Sequence, residues 1–183
     1  MISRAHARPP NAQLGLTRRD VDGADFSLLL RYERDRSDDL LNPTRGWRAA
    51  GDVQPALFVG DNQTIPYGRI VISGSYYQPI SALVGGVMAA RGKAGILITE
   101  NQRLPFDRRF FAGGGGSVRG YAFQSIGPRD INDNPLGGQS VLEAAIEARW
   151  TLRGPLGMAV FVDAARVGAF DTLDEQQTRV GVG

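Results

Sequence analysis

The sequence predicts an all-β protein of antiparallel strands, and three observations favour a transmembrane β-barrel. Apolar and polar residues alternate with a period of two in about seven segments, as expected when successive side chains of a strand point to opposite faces. Several segments reach the roughly 9 to 11 residues that a tilted strand needs to cross a bilayer. Their apolar faces are rich in Ala and Gly, with aromatic residues near several ends. A soluble sandwich, which buries its apolar face, is the alternative.

The alternation places the strands in order along the chain. It is clearest from Leu142 to Leu152, where every second residue is apolar and the intervening positions include Glu147. A helix would place Glu147 and Trp150 on nearly the same side and would mix the two sets. The same alternation predicts further strands within segments 26–33, 47–54, 69–76, 82–96 and 158–164, and a last strand from about residue 178.

The connections between these segments differ greatly in length. Segments 41–46 and 153–157 contain Pro and Gly and are predicted as short turns. Between about 99 and 139, in contrast, the chain is rich in Gly, Pro, Asn, Asp and Arg. A loop of this length is usually functional or disordered. It contains the run FFAGGGGSVRGY at 110–121.

The composition argues against several classes of function. The chain of 183 residues has no cysteine and one histidine, His6, so thiol nucleophiles and multi-histidine metal sites are excluded. Its net charge is only +2, and without a basic block no nucleic-acid partner is predicted. The phosphate-binding, calcium-binding and serine-nucleophile signatures are absent. We therefore predict no catalytic residue, no cofactor, no metal site and no enzymatic activity.

Two regions are predicted along the chain. Residues 1–22 form a polar leader, or part of a preceding strand or loop, and carry no secretory signal. Residues 23–183 form the barrel region with its long loop. No apolar run reaches the roughly 18 residues of a transmembrane helix.

Four segments in the same order resemble one protein family. They are the run at 110–121, DDLLNPTRGW at 38–47, NPLGG at 134–138 and AVFVDA at 159–164. Together they resemble the bacterial surface-antigen barrels, the outer-membrane protein assembly factors of the BamA/TamA superfamily. The glycine run and the NPLGG segment lean toward the TamA branch. The resemblance covers about residues 23–183.

The resemblance implies a location and a function. Such proteins lie in the bacterial outer membrane, where a barrel of about sixteen strands follows periplasmic POTRA domains. On this basis the chain is expected to be an incomplete barrel, a fragment with about seven of those strands. The expected role is to help insert or secrete outer-membrane proteins such as autotransporters. The expected partners are outer-membrane lipid, unfolded outer-membrane or autotransporter substrates, and an inner-membrane-anchored subunit.

The resemblance also implies a site in the lumen, where the long loop folds back. Its motif residues here are Val118, Arg119, Gly120 and Tyr121. The arginine is expected to pair with an acidic residue of the inner wall, first Asp163 and second Glu147, with Glu143 as a substitute. The alternation independently places Glu147 and Asp163 on the polar faces of their strands.

Two other functions are consistent with the sequence. A two-partner secretion transporter shares the loop arginine and exports one substrate through its lumen. A soluble all-β binding module would use the glycine-rich loop as its ligand site.

Overall fold

The computed structural model describes residues 23–60, 63–99, 104–168 and 177–183, so the predicted leader at 1–22 lies outside the described residues. These residues contain eight strands: β1 (Gly23–Ser27), β2 (Leu30–Asp35), β3 (Gly46–Gly60), β4 (Gln63–Ile80), β5 (Gly86–Ile98), β6 (Ser140–Arg153), β7 (Leu156–Gly168) and β8 (Gln177–Val182). One 3-10 turn, Phe106–Arg108, lies between β5 and β6. In this part of the chain, no helix has the length and apolar character that crossing a membrane requires.

All strands belong to one antiparallel sheet in the order β1-β3-β4-β5-β6-β7-β8, with β2 also paired to β3. β1 and β2 pair with successive parts of β3, so they act as one strand interrupted at residues 28 and 29. At the interruption the Leu28 N–H donates to the Pro55 carbonyl at 3.1 Å. The sheet is thus a meander of seven strand positions, which confirms the predicted all-β antiparallel fold.

The pairing register separates two faces of the sheet. Directly opposed residues lie on the same face, and one such row runs through Arg48, Ser75, Arg91, Ala145 and Asp163. The opposite face, here called the apolar face, carries exposed large side chains, which include Ile72, Leu142, Ile146, Val160 and Val162. A contiguous exposed apolar surface of this kind is typical of a membrane or partner contact.

The turn between β4 and β5 is longer than the alternation indicated. Ala82 and Val84 were expected in a strand, but β5 begins only at Gly86. The Gly86 N–H donates to the Leu83 carbonyl at 2.9 Å, and Gly85 has a φ of 60°, in the left-handed region. Because that conformation ends an extended strand, the alternation at 82 and 84 is accidental.

The face opposite the apolar face is called the loop face, because the long loop covers part of it. We name the end of the sheet where β5 passes into this loop the loop end, and the other end the turn end. At the loop end the loop face is apolar, so this face is not polar along the whole length of the strands. The sheet contributes Phe58, Ile65, Tyr67, Leu97, Val141, Ala165 and Val167 to a buried cluster, and the loop contributes Leu104, Phe110, Ala112, Val118 and Ile126.

This buried cluster explains where the period of two breaks down. Residues 57–59 and 96–98 are consecutive apolar residues near the loop end. Both faces of a strand are apolar when one faces the surroundings and the other packs under a loop. The hydrophobic core of the described chain therefore lies between the sheet and its own longest connection.

Candidate functional site

The long loop is a folded layer on the sheet, and its own backbone pairs hold it. Phe110 and Gly138 exchange two backbone hydrogen bonds, both of 2.8 Å, and Ala112 forms an isolated bridge with Ile126. The four consecutive glycines are not equivalent. A Cβ on Gly113, whose φ is 104°, would lie 2.6 Å from the Ala122 carbonyl oxygen, whereas none of the described atoms would lie within 4 Å of one on Gly115. The first glycines thus shape the turn that delivers the loop tip, residues 117–121.

The loop tip lies against β8 at a glycine of that strand. The Val118 side chain is completely buried. A Cβ on Gly181 would lie 2.3 Å from the Arg119 carbonyl oxygen and 3.1 Å from Val118 Cγ1. The Tyr121 hydroxyl donates to the Val180 carbonyl at 3.2 Å. Gly181 is a position of the candidate site that sequence reasoning missed, although a glycine inside a strand is a known signal of close backbone approach.

Arg119 is the centre of a network of contacts on the loop face. Its Nε and Nη2 donate to the two carboxylate oxygens of Asp163 at 2.7 and 2.8 Å, and its backbone N–H donates to Oδ2 at 3.0 Å. Its Nη1 donates to a carboxylate oxygen of Glu147. The guanidinium also lies over the Phe161 ring, 3.4 Å from the centroid. All three partners project from neighbouring strands, β6 and β7.

The motif residues beside Arg119 support this placement. Gly120 has a φ of 84°, a conformation that favours glycine, so the chain reverses directly after the arginine. Val118 enters the buried cluster and Tyr121 packs against it. The structure therefore brings together all the motif residues and the first and second predicted acidic partners, Asp163 and Glu147. Glu143, the substitute partner, instead pairs with Lys93 at 3.0 Å.

The electrostatics of the network fix its protonation. Hydrogen bonds to Asp163 raise the pKa of the Arg119 guanidinium above its ordinary value, burial opposes this, and Glu147 adds to the increase. The arginine is therefore charged at every accessible pH. The Asp163 side chain has no exposed surface, and Arg91 approaches it as a second cation at 3.7 Å. Removing one of these donors would leave the buried Asp163 charge less compensated, which is strongly destabilising.

A second attachment, which no sequence pattern indicated, holds the start of the loop. The Asp25 carboxylate accepts a hydrogen bond from the Tyr67 hydroxyl at 2.7 Å and pairs with Arg108 at 2.9 Å. Beside it, the Phe110 ring packs under Arg69, whose guanidinium carbon lies 4.5 Å from the ring centroid. The loop thus spans the sheet from β1 and β4 to β7 and β8. Asp25 and Arg108 lie 83 positions apart in the numbering, and no spacing rule joins them.

Two cavities remain on the loop face below the loop tip. One is about 260 Å³ and is lined by polar and small side chains that include Glu33, Arg48, Lys93 and Ser117. The other is about 160 Å³ and lies among Arg91, Arg119, Glu147 and Arg149. Within the described ranges, no group of three or more histidine, cysteine or acidic residues is placed to hold a metal ion.

Comparison with known proteins connects this arrangement to one family. The family model described as the Omp85 superfamily domain matches residues 5–183. The outer membrane protein assembly factor BamA of Neisseria meningitidis serogroup B is 25% identical over 178 residues, covering 86% of this chain and 22% of that protein. The BamA of Nitratidesulfovibrio vulgaris is 27% identical over 135 residues, covering 72% of this chain and 16% of that protein.

A solved structure shares the fold. The crystal structure of BamA from Haemophilus ducreyi lacking POTRA domains 1–3 superposes with a TM-score of 0.71 at 25% identity, covering 88% of this chain and 36% of that chain. The chain therefore matches only part of the length of each relative. The predicted BamA/TamA superfamily resemblance is confirmed, without a preference for the TamA branch. The chain belongs to the Omp85 superfamily and is a protein of the bacterial outer membrane.

Proposed function

We propose that this chain is part of the barrel of an outer-membrane protein assembly factor, with the long loop as an internal plug. The observation that carries the proposal is the docking of Arg119 on Asp163 and Glu147, beneath a sheet whose other face is apolar and exposed. In this reading the apolar face contacts lipid and the loop face lines the barrel interior. The partners proposed with it are outer-membrane lipid and unfolded outer-membrane substrate proteins.

The plug and the arginine have different tasks. Burying a Leu, Ile, Val or Phe side chain contributes about 1.5–3 kcal/mol, and four such loop residues, Leu104, Phe110, Val118 and Ile126, are buried. A partly buried ion pair contributes little net stability because its desolvation offsets its attraction. We infer that apolar packing keeps the loop inside the barrel, whereas Arg119 fixes the position of its tip.

Within the superfamily we infer the TamA branch, and with it the assembly of autotransporters and an inner-membrane-anchored partner subunit. The support is the form of two segments, GGGGSVRGY at 113–121 and NPLGG at 134–138. Both segments lie in the plug, and the first contains the docked tip. The three proteins named above are all BamA proteins, so this inference requires its own test.

The test uses the full-length protein in its own bacterium. Depletion is expected to lower the amounts of folded outer-membrane proteins, measured by their heat-modifiable mobility in gels. A loss confined to autotransporters supports the TamA branch, whereas a general loss supports a BamA-like role. Loss of a single secreted protein with normal outer-membrane proteins would instead identify a two-partner secretion transporter and overturn the proposal.

A further inference from the structure

The ten-residue turn that joins β2 to β3, residues 36–45, folds over the loop face. Its Pro43 is buried, and the Pro43 carbonyl accepts a hydrogen bond from Nη2 of Arg149, on β6. Because β4 and β5 lie between β3 and β6 in the sheet, this bond spans three strand spacings, roughly 14 Å across a flat sheet. The turn therefore crosses the loop face at the turn end.

A second arginine fastens the near side of the turn. Nη2 of Arg48, on β3, donates to the carbonyl oxygens of Asp39 and Leu40 at 2.7 and 2.8 Å. Its Nε donates to the Ser37 hydroxyl at 3.1 Å, and it also pairs with Asp35 at 2.9 Å. Carbonyl groups of the turn are thus bound by two guanidinium groups that project from the loop face.

The turn is also braced from within. The Asp38 carboxylate accepts the backbone N–H groups of Thr44 and Arg45 at 2.8 and 3.0 Å. The Asp39 carboxylate accepts two more N–H groups from the apex of the turn, at 2.8 and 2.7 Å. Aspartates that bind nearby backbone groups in this way fix the shape of a turn. The segment is therefore a formed element that can act as a unit.

The two cavities on the loop face lie between this turn and the loop tip. The cavity of about 260 Å³ is lined by Ser117 of the tip and by Arg48. The cavity of about 160 Å³ is lined by Arg119 of the tip and by Arg149. Each cavity thus has the long loop on one side and an arginine that fastens the turn on the other.

We propose that turn 36–45 is a strap that closes the turn end of the barrel interior, and that Arg149 holds its far side. The plug at the loop end and the strap at the turn end together enclose the polar interior. Arg149 reaches the strap through one bond to a neutral carbonyl, whereas Arg48 makes several bonds. The far side of the strap is therefore the side that opens first. This inference rests on the proposed barrel, whose interior the loop face lines, and not on the assembly activity.

The test measures access to the interior of the full-length protein in liposomes. Ser73 lines the larger cavity, and this chain contains no cysteine, so Ser73→Cys supplies a thiol there. A small, charged, membrane-impermeant thiosulfonate is added from each side in turn, and the labelling rate is measured. Loss of a hydrogen bond to a charged group is expected to raise the rate from the strap side about tenfold in Arg149→Met.

Two further variants make the result decisive. Arg153→Met removes an exposed arginine from the same strand and is expected to leave the labelling rate unchanged. Should Arg149→Met fail to fold, Arg149→Lys keeps the charge without the guanidinium fork and is expected to label at an intermediate rate. Rates equal to that of the parent in a folded Arg149 variant, or rapid labelling of the parent itself from the strap side, would overturn the strap.

Discussion

The backbone of Arg119 occupies the space that a side chain on Gly181 would need. A Cβ at position 181 would approach the Arg119 carbonyl oxygen to 2.3 Å, well inside any permitted contact. The arginine that joins β6 and β7 therefore reaches them only because β8 offers no side chain at this point. Three neighbouring strands, β6, β7 and β8, thus position Arg119.

The first prediction follows from that contact. Gly181→Ala is expected to displace the loop tip and to expose Val118, which is fully buried in the parent. Hydrogen exchange of the backbone amides of residues 117–121 measures the displacement. Gly115→Ala is the matched control, because no described atom lies within 4 Å of a Cβ built there. Equal exchange in the two variants would show that the contact at Gly181 does not position the tip.

The second prediction ranks the two acidic partners of Arg119. Asp163→Asn removes charge from a side chain without exposed surface, whereas the Glu147 side chain is 25% exposed. Breaking a fully buried pair costs about 3 to 5 kcal/mol, and solvent screening lowers the cost for a pair that is partly exposed. We expect Asp163→Asn to lower the free energy of unfolding in detergent clearly more than Glu147→Gln does. The reverse order would assign the main contact to Glu147.

The third prediction separates position from charge. Arg119→Cys combined with Asp163→Cys removes the ion pair, and oxidation then joins the loop tip to β7 by a disulfide. Because this chain has no other cysteine, the bond can form only between these positions within it. If Arg119 serves to position the tip, function in the depletion assay is lost in the reduced form and recovers on oxidation. Function that stays absent after the bond has formed would show that the charge itself is required.

The fourth prediction concerns the plug. Phe110 is buried under Arg69, whereas Phe123 in the same loop is 79% exposed. Phe110→Ala is expected to cost about 3 to 5 kcal/mol and to make the loop accessible to protease. Phe123→Ala is expected to change neither property.

Arg119→Gln, in contrast, is expected to free the tip without releasing the loop, as limited proteolysis can show.

The fifth prediction is a pH dependence of the strap. The Thr44 hydroxyl, followed by the backbone N–H groups of Arg45 and Thr44, lowers the pKa of Asp38 below its usual value near 4. Because the pKa of Asp38 is lower in the folded state than in the unfolded state, these bonds stabilise the turn fully above about pH 4. The stabilisation is lost as the pH falls through the folded-state pKa. Exchange of the Thr44 and Arg45 amides, corrected for intrinsic rates, should therefore accelerate only in acid.

A control for this pH effect lies in the β4–β5 turn. The Gly86 amide there binds a backbone carbonyl, which does not titrate. Its corrected exchange rate is expected to stay constant over the same range. An acid-dependent change at Gly86 of the same size would indicate general unfolding rather than protonation of Asp38.

Much of the fold was predictable because the faces of a strand leave a direct trace in sequence. From Leu142 to Leu152 the period of two gave the strand, its faces and the inward position of Glu147. The long loop was equally visible from its composition and length. The inner apolar cluster was not visible in the sequence. Phe58 and Leu97 have apolar neighbours on both sides, so both faces of the strand are apolar there and the alternation is only weakened.

Some contacts of the candidate site were predictable from the sequence and others were not. The pairing of Arg119 with Asp163 came from the family motif together with the parity of the strand, and its functional role stays a prediction. The contacts between Asp25 and Arg108 and between Arg149 and Pro43 join positions that are distant in the sequence. Local pattern carries no information about such pairs. Gly181 was visible only as a glycine in a strand, without an indication of what approached it.

From the uneven backing of the sheet we expect a gradient of stiffness along the strands of the barrel wall. At the loop end the wall is supported by close-packed side chains from Leu104 to Ile126. At the turn end it borders cavities and a hydrogen-bonded strap, which can rearrange at little cost in packing. We therefore expect a lateral force from the bilayer to bend the strands mainly at the turn end. The loop end then serves as the fixed support against which they bend.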